Sequence, residues 1–288
     1  MTLEQGSALR RRPLFLLCWP GDARTLVFAP LPHRGFLTYR LLMCGRFAFT
    51  LPHEAMTQAF GVKPDPMLVG RGPRYNICPT QEVEAILSDG GDREGRRVAR
   101  LRWGFIPHWY KTPNDGPLLI NARGETLAQK PAFGKAARET RCLIPASGFY
   151  EWRQSAGKGR EPYWITPADG SDMLAWAGVW REWEDGAGQR LSTCAIVTVG
   201  ANGPLSPIHH RAPLVIDEGD WGLWLGEEGH GAAQLMHPAA DDFFAFHRVS
   251  PTINKAKADG PELMAEVIDD DGPGQGTRDK DKGFGTLL

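Results

Sequence analysis

The sequence lacks the features that would announce a disulfide framework, a metal centre or a membrane span. Its cysteines number five, an odd count, and Cys18, Cys44, Cys78, Cys142 and Cys194 stand far apart. None forms a C-x-x-C pair, and the eight histidines are not spaced to complete a zinc site with them. This pattern argues against a disulfide scaffold and structural zinc, and fits a reduced, cytoplasmic compartment. Neither a metal nor an organic cofactor is expected. No apolar run approaches the ~20 residues needed to span a bilayer. Charge of one sign is also missing. The net charge is −1 with 23% charged residues, so any nucleic-acid contact must come from a local patch. There is no internal repeat, no βαβ alternation and no heptad run, and the expectation is a monomer.

What is plentiful is glycine, proline and tryptophan, at 34, 23 and 10 residues. Gly and Pro at this density favour short strands and many turns over long helices. The apolar patterns agree. Short strands are expected at Phe47–Thr50, Val83–Leu87, Val98–Trp103, Arg141–Pro145, Gly148–Trp152, Tyr163–Thr166, Leu174–Trp180, Leu191–Thr198 and Phe244–Val249, with polar turns between several of them. Helices are expected at Pro52–Phe60, closed by Gly61, at Phe133–Arg138, and from Glu218; Ile120–Thr126 reads as the opening of another helical stretch. The fold class is α+β, a single domain of mainly antiparallel strands with flanking helices. The Asp-, Gly- and Lys-rich segment after residue 266 is expected to be a disordered tail.

The stretch Met43-Cys44-Gly45-Arg46-Phe47 reads like a chain start although 42 residues precede it. Removal of everything before Cys44 leaves a 1,2-aminothiol, whose amine (pKa near 7.7–8.0) and thiol (near 8.5) are both partly deprotonated at neutral pH. Taken alone, Cys44 reads first as a buried strand cysteine, since free cysteine is among the most buried residue types. Residues 1–42 carry Arg10-Arg11-Arg12 and a short apolar run broken at Pro20-Gly21, a poor signal peptide. They are expected to be a misassigned start or a pro-segment.

Further along, polar residues of catalytic type stand where strand patterns end. These are Asn121, Arg123 and Glu125; Glu151 between Tyr150 and Trp152; and His209-His210-Arg211. Singly, Asn121 reads as a helix N-cap, Glu151 as a solvent-facing strand residue and Trp103 as core. The pattern also admits a thiol protease using Cys44, His209 and Asn121, or a non-covalent DNA-binding module with Cys44 in the core.

Together and in this order, the segments resemble the SRAP (SOS response-associated peptidase) family. The resembling stretches are Met43–Phe47, Arg74-Tyr75-Asn76-Ile77-Cys78-Pro79-Thr80, Trp103-Gly104-Phe105-Ile106-Pro107, Ile120–Thr126, Arg141–Trp152 and Ile208–Pro213. The resemblance places the SRAP domain at 43–266 and implies barrel-like coiled sheets. It implies a role in DNA damage and the SOS response, with single-stranded DNA containing abasic sites as partner, no membrane, and nucleoid association during damage. The implied activity is self-processing peptidase or hydrolase chemistry, a covalent thiazolidine link from N-terminal Cys44 to the abasic sugar, and a lyase activity. Residue roles come from the same resemblance. Cys44 is the double nucleophile, Glu151 a proton shuttle, His209 the acid at the ring oxygen, and Asn121 an orienting amide. His210 is a rival to His209, although the H-x-R spacing selects His209. Arg46, Asn76, Arg123 and Arg211 would contact DNA, and Pro79 and Trp103 would form a shelf for flanking bases.

Overall fold

The computed structural model describes residues 45–63, 66, 72–89, 95–155, 157 and 159–268. The expected extension 1–42, Cys44 itself and the expected tail from residue 269 lie outside the described residues; the first two residues assigned to that tail are described, and Val267 N–H donates to Arg248 O at 2.9 Å. Chain order runs β1 (Arg46–Phe49), α1 (His53–Phe60), β2 (Arg74–Ile77), β3 (Glu82–Ser88), β4 (Arg96–Trp103), β5 (Asn121–Arg123) and α2 (Gly134–Glu139). It continues with β6 (Arg141–Ala146), β7 (Gly148–Ser155), β8 (Gly159–Pro167), β9 (Leu174–Glu184), β10 (Arg190–Gly200), β11 (Arg211–Pro213), α3 (Trp221–Leu225) and β12 (Phe244–Arg248).

Antiparallel pairing dominates, as expected. β3–β4, β7–β8 and β9–β10 are sequential antiparallel pairs. β9 and β10 carry continuous buried runs over 174–179 and 193–199, as strands covered on both faces do, and short polar segments connect the members of each pair. The order β10-β4-β3-β6-β9, with β9 returning to pair with β10, closes a five-strand barrel. Closure removes the exposed edges that an open sheet of these strands would carry. A second sheet, β12-β8-β7-β1-β2, lies beside it. Phe47 of β1 meets Trp103 and Trp176 of the barrel edge-on at 5.2 and 5.1 Å, and Phe149 of β7 meets Trp176 at 5.8 Å. These buried rings form part of one continuous core.

The alternation of β1 and β7 sets which side chains reach the barrel. Phe47 pairs with Phe149, and Arg46 with Tyr150. The phenylalanines face the barrel, so Glu151, two residues after Phe149, leaves the sheet on that same side. Ala48 and Tyr150 face the other way. They are sealed with Trp164 by Val249, Ile253 and Leu263, a satellite core supplied by the segment after β12. That segment, Ser250–Met264, is built of single 3-10 turns. It carries no helical or strand period, and its strap-like course was not expected.

Two other local readings change. Ile120–Thr126 was expected to open a helix, but Asn121–Arg123 is a strand paired parallel to β10, with one 3-10 turn at Gly124–Thr126. β10 exposes a free stretch of backbone beyond its short contact with β4, and pairing there satisfies amides that a helix start would leave open. Asn121 is therefore not an N-cap. By contrast, α1 ends at Gly61 as expected. Gly61 adopts φ 65°, a left-handed conformation glycine takes without Cβ strain, and its N–H and that of Val62 donate to Gln58 O and Thr57 O.

Candidate active site

Glu151 and His209 form the centre of the candidate site. Glu151 is 1% exposed on the barrel-facing side of β7, with Oε1 3.6 Å from His209 Nδ1. His209 sits in the turn before β11, where its N–H donates to Leu205 O at 3.1 Å. His209 is buried while its neighbour His210 is exposed, with the two rings 4.4 Å apart. Of the two imidazoles, His209 is the one that lies beside Glu151.

Burial pushes the His209 titration below its ordinary value, the hydrogen bond to Arg211 backbone opposes this, and His210, Arg160 and Arg211 add to the lowering. The neutral ring prevails at pH 7. Linkage fixes the sign for stability. The unfolded chain binds the His209 proton more readily than the folded one, so stability falls as pH drops below about 6.5. His209→Asn should flatten that part of a urea-unfolding pH series. A series equally steep without His209 would contradict the depressed titration.

The chain approaches this pair from the N-terminal side. Arg46 pairs with Tyr150, and the same register brings buried Gly45 opposite Glu151. Asn121, half-buried, is the first residue of β5, placed there by pairing with Ile196 of β10. Two residues further along β10, Thr198 pairs with Arg123 of β5 and Pro213 of β11. The end of β10 therefore gathers Asn121, Arg123 and the His209–Arg211 turn, all far apart in sequence. Topology does this, and no local pattern encodes it.

The expected DNA contacts divide. Arg123 is exposed, and Arg46 is half-buried on the strap side of the sheet, opposite in facing to Glu151. Among the described residues neither forms an ion pair with a carboxylate. Arg46 is fixed all the same: Nη1 donates to Asn76 Oδ1 at 3.0 Å and Ile253 O at 2.7 Å. Asn76 was expected to contact DNA, but it is 4% exposed and turns inward, its Nδ2 donating to Lys255 O at 3.1 Å and Ala258 O at 2.8 Å. Asp259 locks the same strap by accepting from the Tyr75 and Asn76 N–H groups.

Arg211 was likewise expected to grip a phosphate. Its guanidinium is already held in a bidentate pair with Glu125, at 2.6 and 2.9 Å, and Nη2 also donates to Thr198 O. Half-buried Pro79 lies in the turn after β2, where Thr80 N–H donates to Trp103 O at 2.7 Å.

Trp103 is the clear correction among the stacking residues. It is fully buried, packs edge-on against Phe47, and its Nε1 donates to Ile120 O at 2.9 Å. No face of the ring is open to a base. Among the described residues the exposed tryptophan is Trp109, at 49%. It stands on the 107–117 loop rooted at the Phe105–Leu119 bridge, two residues before Asn121. The loop is braced, since Trp183 Nε1 donates to Tyr110 O at 2.9 Å and Asp115 accepts from the Lys111 and Thr112 N–H groups. The aromatic, Pro-rich composition of 107–117 was the available signal, and Trp109 was passed over. Arg160 was also missed. It is exposed near the β7–β8 turn, lies over the Trp152 ring at 5.7 Å and acts electrostatically on His209.

Residues 43–256 match the family model described as SOS response associated peptidase (SRAP). A Bacillus subtilis protein named abasic site processing protein YoqW is 33% identical over 228 residues, covering 77% of this chain and 99% of its own. A Rattus norvegicus protein named abasic site processing protein HMCES is 31% identical over 273 residues, covering 77% and 76%. A solved structure from Bacteroides thetaiotaomicron is similar in fold, with a TM-score of 0.69 at 21% identity, over 78% of this chain and 100% of that one.

Proposed function

Because the chain belongs to the SOS response associated peptidase (SRAP) family, we propose that it processes abasic sites in single-stranded DNA through a covalent bond made by Cys44. The relatives' names supply the substrate class. The observation that carries the reading is the buried Glu151 beside His209, at the place where the chain passes from Cys44 through Gly45 into β1. A carboxylate removed from water next to an imidazole is an arrangement suited to proton transfer.

The chemistry balances without a cofactor. The ring-opened abasic sugar is an aldehyde. The Cys44 α-amine adds to it and water leaves, giving a Schiff base. The thiol then adds to the imine carbon, forming a C–S bond while its proton passes to nitrogen. The product is a thiazolidine, and one water is lost overall. His209 protonates the ring oxygen as the sugar opens, Glu151 relays protons between amine, thiol and sugar, and Asn121 orients the amine. Arg46 and Arg123 attract the flanking phosphates. Trp109 and Pro79 offer faces to neighbouring bases, and a base stacked on an aromatic ring is worth ~1–3 kcal/mol.

Residues 43–266 form the domain in this proposal; residues 1–42 are absent from the active form or removed from it, and Met43 is removed as well, so that the active chain begins at Cys44. Removal uses the same centre: the Cys44 thiol attacks the Met43 carbonyl with His209 and Glu151 assisting, the C–N bond breaks to free the α-amine, and one water then hydrolyses the resulting thioester, releasing the upstream segment as a carboxylic acid and restoring the thiol. The protein acts as a monomer in the cytoplasm, at the nucleoid when DNA is damaged.

The test uses protein beginning at Cys44 and an oligonucleotide with one abasic site. A slower band that survives denaturation is expected. Cys44→Ala, and protein with residues 1–43 retained, should yield none, and an adduct in either contradicts the mechanism. Turnover of peptides by the Cys44 form, blocked by thiol alkylation but not by amine modification, would favour the protease alternative.

A further inference from the structure

The Glu125–Arg211 pair does something that a phosphate-gripping arginine would not. Arg211 is 7% exposed, and four contacts fix its guanidinium: two to the Glu125 carboxylate, one to Thr198 O and one to Thr198 Oγ1 at 3.3 Å. Its backbone is paired with Gly200 of β10. Side chain and main chain are thus both anchored to the end of one strand. The same peptide groups serve His209. Nδ1 lies 3.2 Å from Arg211 N and 3.2 Å from Arg211 O.

A ring nitrogen cannot satisfy both at once. Without its proton, Nδ1 accepts from the Arg211 N–H; with it, Nδ1 donates to the Arg211 C=O. The Arg211 backbone therefore offers a partner to either protonation state. The proton at Nδ1 can leave toward or arrive from Glu151, 3.6 Å away, and Nδ1 itself has a partner in either state.

We propose that Glu125 is a positioning residue that, through Arg211, holds the backbone seat of His209 and so keeps the imidazole aligned for proton exchange with Glu151. This rests on the reading of Glu151 and His209 as the proton-transfer pair. Glu125 touches neither of them. Its carboxylate is half-exposed, and the Arg211 hydrogen bond holds its titration below the usual carboxylate range, so it stays charged through neutral pH. The charged and titratable groups facing His209 are Glu151, His210, Arg160 and Arg211, and only Arg211 is tied to Glu125.

The test combines rate and spectroscopy on protein beginning at Cys44. Glu125→Ala should slow adduct formation at least about tenfold, a part of the 10²–10⁴ that a placed acid or base contributes. It should move the His209 titration, followed by ¹⁵N imidazole shifts, up toward its ordinary value as the ring regains water, and the rate profile should move with it. Glu125→Asp, whose shorter carboxylate withdraws from Arg211, should act in the same direction and serves if the alanine variant does not fold. Glu125→Gln, which keeps an acceptor for Arg211, should restore most of the rate and the His209 signals.

The contrary result is a Glu125 that merely neutralises Arg211. The Ala and Gln variants, which remove the charge, would then tighten binding to intact single-stranded DNA while the His209 titration and the pH profile stayed in place in all three, and the proposal would be overturned. Should the unaltered protein form no adduct, the reading of the reaction fails. The His209 titration in the Ala, Asp and Gln variants still decides whether Glu125 positions the ring.

Discussion

Glu151→Gln is expected to slow adduct formation roughly 10²–10⁴-fold, the contribution of a placed general acid or base, while leaving the fold intact or more stable. Both halves of the expectation come from the same burial. A carboxylate 1% exposed has lost most of its hydration. Exchanging it for a neutral side chain of equal shape removes the cost of holding a charge out of water. Gln also preserves the volume, so the packing around Phe149 and the β7–β8 pairing is undisturbed. What Gln cannot do is take up a proton and return it. Stability measured by urea unfolding and rate measured on denaturing gels should therefore move in opposite directions. Such a trade-off is typical of active-site groups. A rate within threefold of the unaltered protein would remove Glu151 from the mechanism.

The second large effect separates two tryptophans. Trp103→Ala should cost about 3–5 kcal/mol, the range for deleting a fully buried large aromatic. It opens a cavity against Phe47 and leaves Ile120 O without the indole donor immediately before Asn121. Any loss of DNA processing in this variant reflects the loss of folded protein and of β5 placement. Trp109→Ala should do the reverse. Stability should stay within about 0.5 kcal/mol, as for surface substitutions, while affinity for single-stranded DNA falls by ~1–3 kcal/mol for each base that stacked on the ring. Urea unfolding and fluorescence-anisotropy titration at fixed salt measure the two quantities. Trp103→Ala with unchanged stability would contradict the core assignment, and Trp109→Ala with unchanged affinity would remove the stacking surface.

These tryptophans also show how far the sequence could be read. The strands β3, β4, β7, β8, β9 and β10 were legible because apolar patterning and polar turns are local signals, and so was the Gly61 stop of α1. Glu151 and His209 were picked out by residue type and by the order of motifs. Their 3.6 Å approach, however, depends on the second sheet lying against the barrel. Misreadings arose where a non-local contact decided the matter. Asn121–Arg123 looked like a helix opening because the β10 backbone it pairs with is some 75 residues away. Trp103 and Trp109 both lie near aromatic, Pro-rich sequence, and only Phe47 and Ile120 O show that the first is enclosed. The inward turn of Asn76 depends on the strap at Lys255–Asp259, a segment with no period of its own. Arg211 looked like any surface guanidinium until Glu125 and Thr198 were placed around it.

The central claim is that Cys44 reacts through both its amine and its thiol, and the intact mass of the adduct tests it most directly. Protein beginning at Cys44 should join an abasic oligonucleotide with the loss of one water. In the product neither the Cys44 amine nor its thiol should react with modifying reagents. An adduct whose protein part retains residues 1–43, or one in which the Cys44 thiol can still be alkylated, would contradict the account.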